Sequence, residues 1–136
     1  MPESTLEIRI PSLRKNIALV EPFLRSIDSF RELEESKYYN ALIAITEAVN
    51  NAIVHGNQCD EQKIVVLSLL IDIDAIHISV LDQGQGFNPD AVPDPRRKEN
   101  ILKDGGRGVF LIHSLVDDAV YSNTGNGMKL EMTIRR

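Results

Sequence analysis

The runs IVVLSLLI (64–71) and AIHISVL (75–81) are rich in Val, Ile and Leu and are separated only by Asp72, Ile73 and Asp74. So short a break makes them an antiparallel pair, because parallel neighbours need a crossover of about a dozen residues or more. The rest of the chain has to be arranged around that hairpin. TLEIRI (5–10) alternates and reads as a strand ended by Pro11. Ser12 is expected to cap a helix with apolar positions at Leu13, Ile17, Val20, Phe23, Leu24 and Ile27, which Pro22 should kink or divide. A second helix follows Ser36 and runs to about residue 55, with Gly56 as its C-terminal stop.

From Asp82 to Gly108 the chain is polar and holds Gly84, Gly86, Gly105, Gly106 and Gly108, Pro89, Pro93 and Pro95, and the cluster Arg96-Arg97-Lys98. Long loops of this kind inside a small domain serve function or motion. A third helix is expected over 109–118, then strands over about 119–123 and 128–135 closed through TGNG. The order predicts an α+β fold, a two-layer sandwich of a mostly antiparallel sheet with helices on one face, forming a single domain over 1–136.

Charge and cysteine content exclude several classes. A net charge of -5 lacks the basic field of a nucleic-acid binder. One cysteine, Cys59, allows neither an internal disulfide nor a zinc site and fits a reducing, cytoplasmic compartment. The N-terminus MPESTLEIRIPS carries charges where a signal peptide needs an apolar core, and the longest apolar run is too short to cross a bilayer.

Three clusters carry chemistry. In EAVNNAIVHGNQ (47–58), Glu47 and Asn51 lie four residues apart on one helix face with Asn50 and Val54, opposite Leu42, Ile45, Val49 and Ala52. A carboxylate beside a carboxamide oxygen suits a hard cation such as Mg²⁺. In VLDQGQGF (80–87), Asp82 ends a strand and Gly84 and Gly86 let a ligand approach the backbone. This is no dinucleotide fingerprint, since Pro89 stands where the third glycine would fall, and no P-loop motif occurs anywhere. In DGGRGVFLI (104–112), Gly105, Gly106 and Gly108 surround Arg107 at a helix start, where free N–H groups and the helix dipole attract phosphate. Taken singly, each has a plainer reading: a solvated helix face, a turn-forming aspartate, a glycine hinge.

Together and in this order, TEAVNNAIVHGN, VLDQGQGF and GGRGVFLI resemble the N, G1 and G2 boxes of the GHKL ATPase/kinase superfamily, and most closely the small anti-sigma factor serine kinases. The resemblance covers essentially the whole chain. It implies a fold that binds ATP with Mg²⁺, in which Asn51 ligates the metal and Glu47 is the general base for a serine hydroxyl. It implies that Asp82 accepts from the adenine amino group while Gly84 and Gly86 admit the nucleotide. Gly105, Gly106, Arg107 and Gly108 would cradle phosphates, and the segment from about 88 to 104 would be a lid. His55 matches the family's His-Gly pair, though a packing role serves equally; His77 and His113 read as structural. The implied function is an anti-sigma factor serine/threonine kinase that sequesters a sigma factor, phosphorylates an anti-sigma factor antagonist and works as a homodimer. An ATP-binding switch without phosphotransfer is the alternative. A catalytic fragment of a histidine kinase would need a phosphoacceptor-histidine segment for which 136 residues leave no room. The chain departs from the family at Met128, where many relatives follow the glycine with a threonine near the nucleotide.

Overall fold

The computed structural model describes residues 4–84 and 106–136. The elements run β1 (Ser4–Pro11), a 3-10 stretch (Arg14–Leu19), α1 (Val20–Arg25), α2 (Asp28–Arg31), α3 (Glu35–Asn51) and a π turn (Ala52–Gly56). Then come β2 (Ile64–Ile71), β3 (Ala75–Leu81), α4 (Gly106–Leu115), β4 (Asp118–Asn123) and β5 (Met128–Arg135).

The 72–74 hairpin forms as the sequence requires. Asp72 makes it, since its Oδ1 accepts from the backbone N–H of Asp74 at 2.8 Å and of Ala75 at 2.7 Å. Around it builds a five-stranded sheet in the order β1-β2-β3-β5-β4, antiparallel throughout. Residues alternate across each strand. One inward row crosses all five strands through the pairings of Ile8 with Leu67, Leu67 with Val80, Val80 with Leu130 and Leu130 with Tyr121. α3 covers that face with Ala41, Ala44, Ile45, Ala48 and Val49, all buried. Phe30 anchors α2 in the same core and meets the ring of Tyr38 edge-on, with centroids 5.2 Å apart.

Three local expectations are corrected. Ser12 caps nothing: Leu13 is the residue before the 3-10 stretch, and the Ser12 hydroxyl donates instead to the Lys63 carbonyl at 2.7 Å. Pro22 falls within the first turn of α1, where its missing N–H has no intrahelical acceptor to lose, so the division comes earlier, at the switch from 3-10 to α geometry. α4 begins at Gly106 rather than 109 and gives way to β4 at Asp118.

α3 ends by widening into the π turn, closed by the Asn57 N–H donating to the Ala52 carbonyl at 2.8 Å. The next two residues, Gln58 and Cys59, take the left-handed conformation with φ of 54° and 57°. Cys59 is exposed there, and its N–H reaches back to the Ile53 carbonyl at 2.8 Å. π turns of this kind cluster at functional sites.

Candidate functional site

β3 carries the chain to Asp82, where the hydrophobic ladder stops and a buried carboxylate begins; the residue is 7% exposed. Its Oδ1 accepts two backbone N–H groups, from Gly84 and from Met128, each at 3.0 Å. The Asp82 N–H in turn donates to the Met128 carbonyl at 3.0 Å, which prolongs the β3–β5 ladder past its last regular pair. Burial pushes the Asp82 carboxyl above its ordinary range, and those two N–H groups and the charge of Lys63 pull against it. Oδ1 is thus held by the protein, while Oδ2 makes no hydrogen bond to a described residue.

Three glycines make this packing possible. A Cβ on Gly56 would run into the Asp82 carboxylate, one on Gly84 into the Gly56 carbonyl, and one on Gly127 into the Asp82 carbonyl. Gly56 therefore does not end the helix by adopting positive φ, as a glycine stop would; it is there because Asp82 and Gly84 press against it. In the sequence Gly56 reads as a helix stop and half of a His-Gly pair and Gly127 as the residue before Met128, since the close approach of three distant loops leaves no local pattern.

A cleft opens between the end of α3 and the sheet. Ala48, Asn51 and Ala52 line it from the helix, and Val80, Asp82, Tyr121, Met128 and Leu130 from the strands. Asn51 and Asp82, 31 residues apart in sequence, thus share one wall-to-wall space. The Nδ2 of Asn51 is buried with no hydrogen-bond partner, the only such side-chain atom among the described residues. An enclosed donor of that kind costs about 1–3 kcal/mol unless something arrives to satisfy it. Glu47 sits one turn earlier on α3, half-buried on the adjoining side. Tyr121 was not foreseen as a site residue; burial pushes its phenol up to about 12, so it keeps its proton. Met128 has a buried side chain and serves Asp82 through its backbone N–H, which any residue but proline could donate at this place.

The other predicted residues are placed less completely. Gly106, Arg107 and Gly108 form the first turn of α4, not a loop ahead of it. Gly86, Gly105, the 88–104 segment and Arg96-Arg97-Lys98 lie outside the described residues. His55 is exposed in the π turn and does not line the cleft. His77 pairs through Nε2 with Asp72 at 2.9 Å, and the His113 ring lies 6.1 Å from that of Tyr121.

Residues 10–134 match the family model described as a histidine kinase-like ATPase domain. The chain belongs to that family. It is 34% identical over 134 residues to the serine-protein kinase RsbW of Staphylococcus epidermidis, covering 88% of this chain and 80% of that protein. It is 28% identical over 143 residues to RsbW of Staphylococcus aureus, covering 98% and 89%. In the crystal structure of the RsbU and RsbW domains of a Mycobacterium tuberculosis protein, a region similar in fold aligns with TM-score 0.70 and 21% identity. That alignment covers 97% of this chain but 32% of the other, longer one. The antiparallel sheet with helices on one face is the α+β fold of this neighbour.

As a histidine kinase-like ATPase domain, the chain has to hold ATP, and the donor set fits a magnesium nucleotide. Mg²⁺ is commonly held by one or two protein oxygens plus substrate phosphates rather than by a protein cage. No group of three or more His, Cys, Asp or Glu is gathered as a metal site among the described residues. The Oδ1 of Asn51, which lines the cleft, and the carboxylate of Glu47 one turn earlier on α3 are the oxygens available to such an ion, while the unpartnered Asn51 Nδ2 calls for an acceptor such as a phosphate oxygen. No helix among the described residues is long and apolar enough to cross a membrane.

Proposed function

We propose that this chain is an ATP-dependent serine kinase of the anti-sigma type, acting in the cytoplasm as a homodimer. It would sequester a sigma factor and phosphorylate a serine of that factor's antagonist. The observation that carries this is the cleft itself, which Asn51 and Asp82 both line, with Glu47 one helical turn before Asn51.

Each residue then has a task suited to its surroundings. The Oδ2 of Asp82 accepts from the adenine amino group, which a guanine carbonyl cannot supply. Val80, Leu130 and Ala52 offer the flat ring an apolar bed. Asn51, through its Oδ1, would hold Mg²⁺ together with the phosphates, and the ion would supply charge neutralisation around the transferred group. Glu47 orients the serine hydroxyl of the protein substrate and takes its proton as the oxygen attacks the γ-phosphorus, and ADP leaves from the opposite side. Phosphoryl transfer asks mainly for positioning and compensation of charge, so this small set of groups suffices. Gly106, Arg107 and Gly108 at the head of α4 are assigned to the phosphates, together with Gly86 and Gly105.

Incubation of the protein with γ-labelled Mg·ATP and purified candidate anti-sigma factor antagonists tests the reading. Label is expected on one serine of the antagonist. If ATP binds but no label moves to any antagonist, the chain is an ATP-gated binding module instead.

A further inference from the structure

Ser12, Asn57 and Gln83 meet although they come from the end of β1, the end of the π turn and the end of β3. Asn57 is wholly buried and polar, a placement that proteins tolerate only when the group's hydrogen bonds are satisfied. Here they are. Its Nδ2 donates to the Ser12 hydroxyl at 2.8 Å, and its Oδ1 accepts the Gln83 backbone N–H at 2.7 Å. Ser12 passes the chain of bonds on, donating from its own hydroxyl to the Lys63 carbonyl at 2.7 Å, and its N–H reaches the same carbonyl at 3.1 Å.

The receiving end of this network is the turn that carries Asp82. The regular β2–β3 ladder ends with Val66 opposite Leu81. Extending that register by two places sets Ile64 opposite Gln83, and there the Gln83 side chain replaces the lost backbone pairing, its Oε1 accepting the Ile64 N–H at 2.6 Å. Gln83 is thereby fixed from two sides, by Asn57 at its backbone and by Ile64 at its side chain. Asp82, which precedes it, lines the cleft, and Gly84, which follows it, donates its N–H to the Asp82 Oδ1 and packs against Gly56.

We propose that Asn57, propped by Ser12, is a positioning residue for adenine recognition: it sets the Asp82–Gly84 turn so that the Asp82 Oδ2 points a fixed acceptor at the base. This rests on the reading of Asp82 as the adenine acceptor. Asn57 does not touch the nucleotide; it acts through Gln83. A general packing role predicts that losing Asn57 weakens every ligand of the cleft alike. A positioning role predicts a loss confined to the ligand that uses the 6-amino group.

Calorimetry with Mg·ADP and Mg·IDP separates the two, since IDP keeps the ring and phosphates but carries a carbonyl at position 6. The variants are Asn57→Ala, which removes the Gln83 acceptor, and Ser12→Ala, which keeps that acceptor but removes its prop. Circular dichroism and thermal melting establish the folded fraction used to normalise each titration. Wild type is expected to favour ADP. Asn57→Ala is expected to lower ADP affinity by roughly tenfold, about what one hydrogen bond to a charged site's support is worth, with IDP affinity changed less than about twofold. Ser12→Ala should shift the ADP-to-IDP ratio in the same direction by a smaller factor. Equal losses for ADP and IDP, or an unchanged ratio in both variants, overturn the proposal while leaving the role of Asp82 intact. If Asn57→Ala does not fold, the ratio in Ser12→Ala decides alone, and an unchanged one overturns it. A wild type that binds ADP and IDP equally removes the Asp82 reading and this proposal with it.

Discussion

Burial raises the Asp82 carboxyl because the charged form loses water that two N–H groups only partly replace. The native state therefore binds more protons than the unfolded chain in the window between the ordinary carboxylate value and the raised one. Stability contributed by this group falls as pH rises through that window. The proposed adenine contact uses the charged form, so on that reading stability and binding oppose one another. Asp82→Asn keeps an oxygen for the Gly84 and Met128 N–H groups and removes the buried charge. It is expected to unfold at an equal or higher denaturant concentration at neutral pH, yet to lose adenine nucleotide affinity by about 1.5–3 kcal/mol. Parallel denaturation and calorimetry check both halves. Glu47 poses the complementary case on α3. Glu47→Gln keeps size and hydrogen bonding without the basic carboxylate, so transfer to the antagonist should drop by roughly 10²–10⁴-fold with ATP affinity little changed. Single-turnover transfer rates beside equilibrium binding would read this out, and undiminished transfer would reduce Glu47 to a positional role.

The β2–β3 hairpin depends on one side chain. Asp72 accepts from Asp74 and Ala75 and pairs with His77, and these interactions, His77 foremost, hold its carboxyl below the usual range. The sign is opposite to that of Asp82. With the folded-state value depressed, the stabilisation is present above the unfolded value and is lost as pH falls through the folded one. Asp72→Ala should lower the thermal midpoint by a few degrees at neutral pH, and the difference from wild type should shrink as the solution is acidified. A constant difference down to the acid limit would show that only turn propensity was lost. The hairpin was legible in sequence because a three-residue break between apolar runs leaves the chain little choice. The stretch after β1 was less so. Ser12 before an amphipathic pattern reads as a cap, but the Asn57 that engages its hydroxyl comes from 45 residues away. Likewise Gly56 after a helix reads as a stop, and only the sheet's closure brings Asp82 against it.

At the scale of the molecule, the sequence order of strands and helices carried the architecture, because each strand's alternation and each helix's apolar stripe are local properties. The cleft was legible only through its motif residues. Glu47, Asn51 and Asp82 stood out as polar groups interrupting apolar runs, whereas Tyr121 and Met128 look like ordinary strand residues until the row across the sheet is assembled. Association is the remaining question at this scale. β1 is an edge strand, and Leu6 within it and Leu19 on the following 3-10 stretch are 38% and 43% exposed. An unprotected edge flanked by apolar side chains invites a second strand or surface. Sedimentation is expected to show a concentration-dependent dimer that Leu6→Lys weakens; a monomer at every concentration refutes it. The left-handed turn at Cys59 has a practical consequence. It holds the chain's single thiol out in solvent two residues beyond Asn57. A maleimide fluorophore would therefore attach at one place without any engineering, and its emission would report, in real time and on unaltered sequence, whether added nucleotide changes the surroundings of the Asn57 turn.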